Sequence, residues 1–168
     1  MNPMDMIKRA LEIGDQSMMV LINDLRDAPM AQPTPGGNHP MWVLGHITFI
    51  EANMPHVLYG EPNPLAHWAP LFASGTQPTT DASAYPAFEE VIRTYRDCRE
   101  RNLQLLERIG EANLDRPTKS PPKGLEDALK TFGESFFVIA MHQMSHCGQL
   151  ADARRALGRK PIFTPGVD

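Results

Sequence analysis

The sequence predicts an all-α protein, a four-helix bundle with a long crossover connector between its second and third helices. Three observations predict it. Prolines number 16 in 168 residues, yet 4–28, 41–54, 87–116 and 123–160 contain none. Proline breaks helix interiors, so these windows are where helices fit. Within them apolar residues recur at alternating spacings of four and three, as on the buried stripe of a bundle helix. Strand-type alternation is weak everywhere. A chain of this length fits one domain, here residues 1–168, with enough core to need no disulfide staple.

The first helix carries Ile7, Leu11, Gly14, Met18, Leu21 and Leu25, and Asp27-Ala-Pro ends it. Gln32 to Gly37 is a Pro/Gly loop. Asn38-His39-Pro40 then opens the second helix, with Pro40 at its first position and Asn38 or His39 as cap. Trp42, His46, Phe49 and Asn53 form its stripe, Pro55 kinks or ends it, and Gly60 closes the region. Residues 61–83 form a connector carrying His67, Trp68, Leu71 and Phe72. It exceeds the ordinary helix–helix loop of about 2–8 residues. It can cross the length of a bundle, so helices two and three need not be antiparallel neighbours.

The third helix follows Asp81 to Ala84, with Pro86 near its first turn. Its stripe is Phe88, Val91, Tyr95, Cys98, Leu105 and Ile109, and Gly110 stops it. Leu125–Lys130 reads as a short helical piece. The fourth helix starts at Thr131, where Thr131-Phe-Gly-Glu134 matches the capping box. Phe132, Phe136, Ile139, Gln143, His146, Leu150, Ala153 and Leu157 form its stripe, with Gly158 and Pro161 as stop.

Composition narrows the function. The net charge is −4 and no basic run occurs, which speaks against nucleic acid and anionic membrane as partners. Residues 27–92 hold no Lys or Arg, so their surface should be acidic. No stretch approaches the ~20 apolar residues of a membrane span. Charged residues from Asp5 to Asp27 argue against a secretory signal peptide. Cys98 and Cys147 are too few for a disulfide framework; both are expected to be reduced and buried, in a cytoplasmic protein. Apolar residues off the main stripes, Val20, Ile22, Ile92 and Leu103, predict a homodimer.

The chemistry lies in the histidines. His142 and His146 are spaced i, i+4, about 40° apart around a helix and ~6 Å apart along it, so both imidazoles can reach one ion. His46 sits on the inward stripe of helix two. Spacing and stripe leave two readings open: a three-histidine metal site with a free position, or histidines hydrogen-bonded within the core or lying at the surface. His39 reads as a cap or a pocket wall, His56 and His67 as surface. Gln149 lies nearly on the face of His142; it can hydrogen-bond a ligand imidazole or water, or serve as an interhelical contact. Trp42, Trp68 and Phe72 are candidate pocket walls, or ordinary core packing. Glu51 lies about 140° around the helix from His46, a poor fourth ligand.

The string His142-Gln-Met-Ser-His146-Cys-Gly148-Gln149-Leu150, followed by Arg154-Arg155-Ala-Leu157-Gly158, resembles the last helix of the DinB/YfiT-like superfamily of metal-dependent enzymes. Trp42-Val-Leu-Gly-His46-Ile resembles that family's second-helix motif, and the long connector suits its crossover. The resemblance implies a DinB-like bundle in which His46, His142 and His146 hold one divalent ion, zinc or nickel foremost and iron as a third choice. Cys147 departs from the family pattern; its side chain points about 100° from His146, so packing is expected of it rather than ligation. The resemblance also implies an enzyme acting on small molecules, foremost a transferase using a low-molecular-weight thiol. A metal-dependent hydrolase and a non-catalytic, stress-associated metal-binding dimer are the alternatives.

Overall fold

The computed structural model describes residues 2–33 and 37–162; Thr34, Pro35 and Gly36 of the expected Pro/Gly loop lie outside the described residues. The helices are α1 (Pro3–Asp24), α2 (Pro40–Ala52), α3 (Met54–Tyr59), α4 (Ala69–Phe72), α5 (Phe88–Ile109) and α6 (Phe132–Ala156). Short 3-10 turns lie at Ala66–Trp68, Ala82–Ala84 and Glu111–Asn113. Among the described residues the only β-type pairing is one isolated bridge, Pro117 to Thr131.

Local chemistry sets the ends. The Asn2 side chain caps α1 by accepting from the Asp5 amide, and the capping box of Thr131 and Glu134 opens α6. At α2 the cap is His39, whose ring accepts from the Trp42 amide, ahead of Pro40 in the first turn. Asn53 breaks α2 from α3 beside Pro55, and Gly60, at φ 75°, ends α3 in a left-handed conformation.

Side-chain pairs give the helix directions. Lys8 meets Glu107 and Arg26 meets Glu89, so α1 and α5 are antiparallel. Gly14 faces Gln143 and Asp24 pairs with Arg154, so α1 and α6 are parallel. His46 meets His142 while Asn38 meets Gln149, so α2 and α6 are antiparallel. It follows that α2 and α5 are parallel, which requires the crossover connector between them. That connector is no bare loop. It contains α4 and two 3-10 turns, and Trp68 and Phe72 pack into the core.

Several expectations are corrected. Helix two is expected to bury one stripe, but α2 is buried nearly all round, with Phe49 and Ile50 only half-covered. The connector covers the side that would otherwise face water. Leu125–Lys130 is a run of turns with one helical bond, Leu129 N to Leu125 O. The preceding Pro121, Pro122 and left-handed Gly124 oppose a helix, and Leu125 has no core to face. Pro86 does stand near the first turn of α5, just before the N-cap Ala87, with Tyr85 extended as a pre-proline residue tends to be. Leu157 lies past the end of α6 and is 42% exposed. Ile22 and Ile92, expected to be left for a dimer partner, are buried in the protein's own core.

The interior has two apolar clusters. One packs Met18, Leu21, Trp42, Leu44, Phe72 and Tyr95 with their neighbours, at the connector end. The other packs Ile7, Leu11, Met54, Leu106, Phe132 and Phe136, at the far end. Between them lies a polar layer to which α1, α2, α5 and α6 all contribute. Arg99 donates to Gln143 Oε1 at 2.6 Å and ion-pairs with Glu51 Oε1 at 2.7 Å; Asn102 donates to Glu51 Oε2 at 2.6 Å. Gln143 donates to the Tyr95 hydroxyl at 2.7 Å, which donates to Asp15 at 2.6 Å. Gly14 makes room: a Cβ there would sit 2.8 Å from Gln143 Oε1.

Candidate metal centre

The connector-end core is where the histidines meet. His142 and His146 stand one turn apart on α6, and α2 brings His46 to face them. His142 Nε2 lies 3.1 Å from His146 Nε2 and 3.3 Å from His46 Nε2. One ring nitrogen from each of the three lies within 4.8 Å of the others. An ion bound tetrahedrally at about 2.0–2.1 Å needs its nitrogens about 3.3–3.4 Å apart, so the donor set fits a divalent metal with a coordination position to spare.

On two of the three rings the opposite nitrogen is engaged as in a metal site. His46 Nδ1 donates to the Phe72 carbonyl at 2.7 Å, and His146 Nδ1 donates to Gln149 Oε1 at 2.9 Å. A proton fixed on Nδ1 leaves Nε2 as a free lone pair aimed inward. Burial, partly offset by the Phe72 bond, pushes His46 down to about 4. Burial and the two neighbouring imidazoles push His142 down to about 4. Burial lowers His146 too, against the pull of Gln149. Neutral imidazoles are the metal-binding form.

The connector is fastened to α2 next to these rings. His46 bonds Phe72 O, the Trp42 indole donates to Thr76 Oγ1 at 3.0 Å, and His39 Nε2 donates to Thr79 O at 2.8 Å. Gly45 permits the close approach, because a Cβ there would meet the Phe72 ring at 2.1 Å. Trp42 stacks on His46 with ring centroids 4.7 Å apart and an interplanar angle of 7°.

Comparison with protein families matches residues 10–150 to the DinB superfamily. The chain belongs to the DinB superfamily. A search of curated proteins finds no match. Membership and the three-histidine cluster together describe a metal-binding helical protein.

The other candidates of this DinB-superfamily chain divide. Gln149 accepts a hydrogen bond from His146. Trp42 is a wall. Phe72 contributes a backbone carbonyl, and Trp68 packs on Phe72 at 5.4 Å rather than on the histidine rings. His39 is a cap, His67 is exposed, and His56, partly covered, donates from Nδ1 to Glu61 O at 2.9 Å. Glu51 is in the polar layer; burial pushes its carboxyl up against the opposing pull of Arg99 and Asn102. Cys147 is a buried free thiol pushed up to about 11 by burial, beside a groove between α1 and α6. Sequence reasoning missed the Phe72 carbonyl, Gly45, Thr76 and the contact of Asn38 with Gln149. Only Gly45, inside the Trp42–His46 string, left a visible signal.

Proposed function

We propose that this protein is a metal-dependent enzyme, foremost a thiol-dependent transferase acting on small molecules. The observation that carries the reading is three convergent Nε2 atoms, two with their tautomer fixed, in a donor set that leaves a coordination position free. A divalent ion held by His46, His142 and His146 supplies Lewis acidity, which lowers the pKa of a thiol or water beside it.

The chain's own residues do the rest. Phe72 O and Gln149 Oε1 hold protons on the outer nitrogens of His46 and His146, and Trp42 covers one face of His46. In the transfer the thiol loses its proton to solvent. Its sulfur then bonds the electrophilic carbon, and the displaced group leaves with its electron pair. Family resemblance favours this chemistry over hydrolysis. A non-catalytic metal-binding dimer is the third reading.

A homodimer and a cytoplasmic location belong to the same proposal. The dimer is supported by an exposed apolar face: Met6, Ile13 and Val20 on α1 beside Phe137, Met141 and Met144 on α6. Small residues between them, Ala10 and Ser17 on α1 and Gly148 and Ala151 on α6, offer hollows for a second copy's large side chains. The two free cysteines suit a reducing compartment. Among the described residues no helix is long and apolar enough to cross a membrane.

The test is elemental analysis of protein purified without added metal, followed by conjugation of a panel of low-molecular-weight thiols to a chromogenic electrophile. Stoichiometric metal with thiol- and metal-dependent turnover is expected. Turnover with water but no thiol would move the assignment to hydrolase. Metal without either activity would move it to the non-catalytic reading.

A further inference from the structure

The hydrogen-bond chain that orders the histidines extends one residue beyond Gln149. Gln149 Oε1 accepts from His146 Nδ1 at 2.9 Å and from Asn38 Nδ2 at 3.1 Å, which occupies both lone pairs of the oxygen. Asn38 immediately precedes His39, whose ring is pinned on one side by the Trp42 amide at 3.1 Å and on the other by Thr79 O at 2.8 Å. The half-buried Asn38 is therefore presented from a fixed point at the start of α2, the helix that carries His46.

We propose that Asn38 is a positioning residue for the metal centre: by donating to Gln149 it selects the amide orientation that keeps the His146 proton on Nδ1 and Nε2 open to the ion. This rests on reading the three histidines as a metal centre. A carboxamide has an accepting end and a donating end. Turned through 180°, Gln149 presents Nε2 to His146. Nδ1 can accept that bond only by surrendering its proton, which moves to Nε2 and occupies the lone pair the ion needs. Asn38 fits the turned state only if it turns as well and accepts through Oδ1. The two amides and the imidazole thus form a relay with two self-consistent proton arrangements, one competent for metal and one blocked.

Asn38→Asp decides the matter, because a carboxylate can only accept and so matches the blocked arrangement. Charge alone predicts the opposite sign, since an added carboxylate near a cation tightens binding. Zinc affinity is measured by competition with a chromogenic chelator, and the His146 tautomer by long-range proton–nitrogen spectra of metal-free protein. N38D is expected to weaken zinc by about tenfold or more, the range for groups that orient a ligand. Its His146 proton is expected to move from Nδ1 to Nε2. In a Gln149→Glu background, where the acceptor has no donating end, Asn38→Ala is expected to leave zinc affinity unchanged within about twofold. Should N38D fail to fold, N38A in the wild-type background is expected to show mixed His146 tautomers and weakened zinc binding.

Zinc binding by N38D at wild-type strength or tighter would overturn the proposal. So would an unchanged tautomer, or a full Asn38→Ala loss in the Gln149→Glu background. If the wild type takes up no ion through the three histidines, the metal reading fails, and the metal-free spectra still decide whether Asn38 sets the tautomer.

Discussion

Gly45→Ala tests how the connector and the histidines are joined. A Cβ at position 45 would lie 2.1 Å from Phe72 Cε1 and 2.4 Å from two further ring atoms. Ordinary contact begins near 3.4 Å, so the ring must withdraw by about 3.4 − 2.1 = 1.3 Å. Phe72 is fully buried, with Tyr85 and Trp68 each 5.4 Å away between ring centroids, so withdrawal displaces α4. The His46–Phe72 bond of 2.7 Å would open to about 4 Å, beyond hydrogen-bonding reach. Overpacking costs about 1–3 kcal/mol and the lost buried bond about 1 kcal/mol. A total of about 2–4 kcal/mol corresponds to a melting temperature lower by about 4–16 °C at this chain length. Zinc affinity should fall about 10–100-fold as His46 loses its fixed tautomer. Calorimetry of the metal-free protein and zinc competition measure the two effects. Phe72→Leu in the same chain removes ring atoms at the collision and should restore part of the stability, a non-additive result. A Gly45→Ala protein that melts and binds zinc like the wild type would refute the reasoning.

Three further outcomes follow from the same geometry. His142→Ala should abolish stoichiometric metal retention by elemental analysis and melt like chelator-treated wild type; retained metal would sink the three-histidine assignment. Metal-free protein should lose stability as pH falls from about 6.5 to 4, because the unfolded chain takes up protons there while His46 and His142, held at about 4, stay neutral. One such histidine contributes up to about 3 kcal/mol above that window, so urea melts of His142→Ala should show a shallower slope against pH. Arg99→Met should destabilise by about 3–5 kcal/mol by stranding Glu51, and Glu51→Met in that background should recover much of it, as denaturant melts can show.

The three long helices, α1, α5 and α6, are legible because proline windows and apolar periodicity report the same physics, burial of one face. Gly14 belongs to the first stripe although it has no side chain, since the stripe marks facing positions rather than hydrophobicity. The histidine trio is legible for a related reason: the spacing of His142 and His146 fixes two rings on one rigid helix. Periodicity fails at α2, where burial on nearly every side leaves no polar face to read. It also fails at Leu125, where local propensity meets no partner surface. The Phe72 carbonyl is out of reach because any residue at position 72 offers a carbonyl; only the path of the connector brings this one to His46. Asn38 reads as a cap, since the sequence does not show that position 38 stands beside position 149.

The polar layer between the two apolar clusters divides the molecule into two ends, each packed on its own side chains. Substitutions around Phe132 or Leu106 are felt as packing changes at the far end and are buffered before reaching the histidines, because Glu51, Arg99, Asn102 and Gln143 grip one another by direction rather than by shape. Sliding one helix by a turn, about 5.4 Å, would strip several of these partners at once. The layer therefore holds α1, α2, α5 and α6 in register just below the histidines, so a packing change at the far end need not move His46 against His142 and His146.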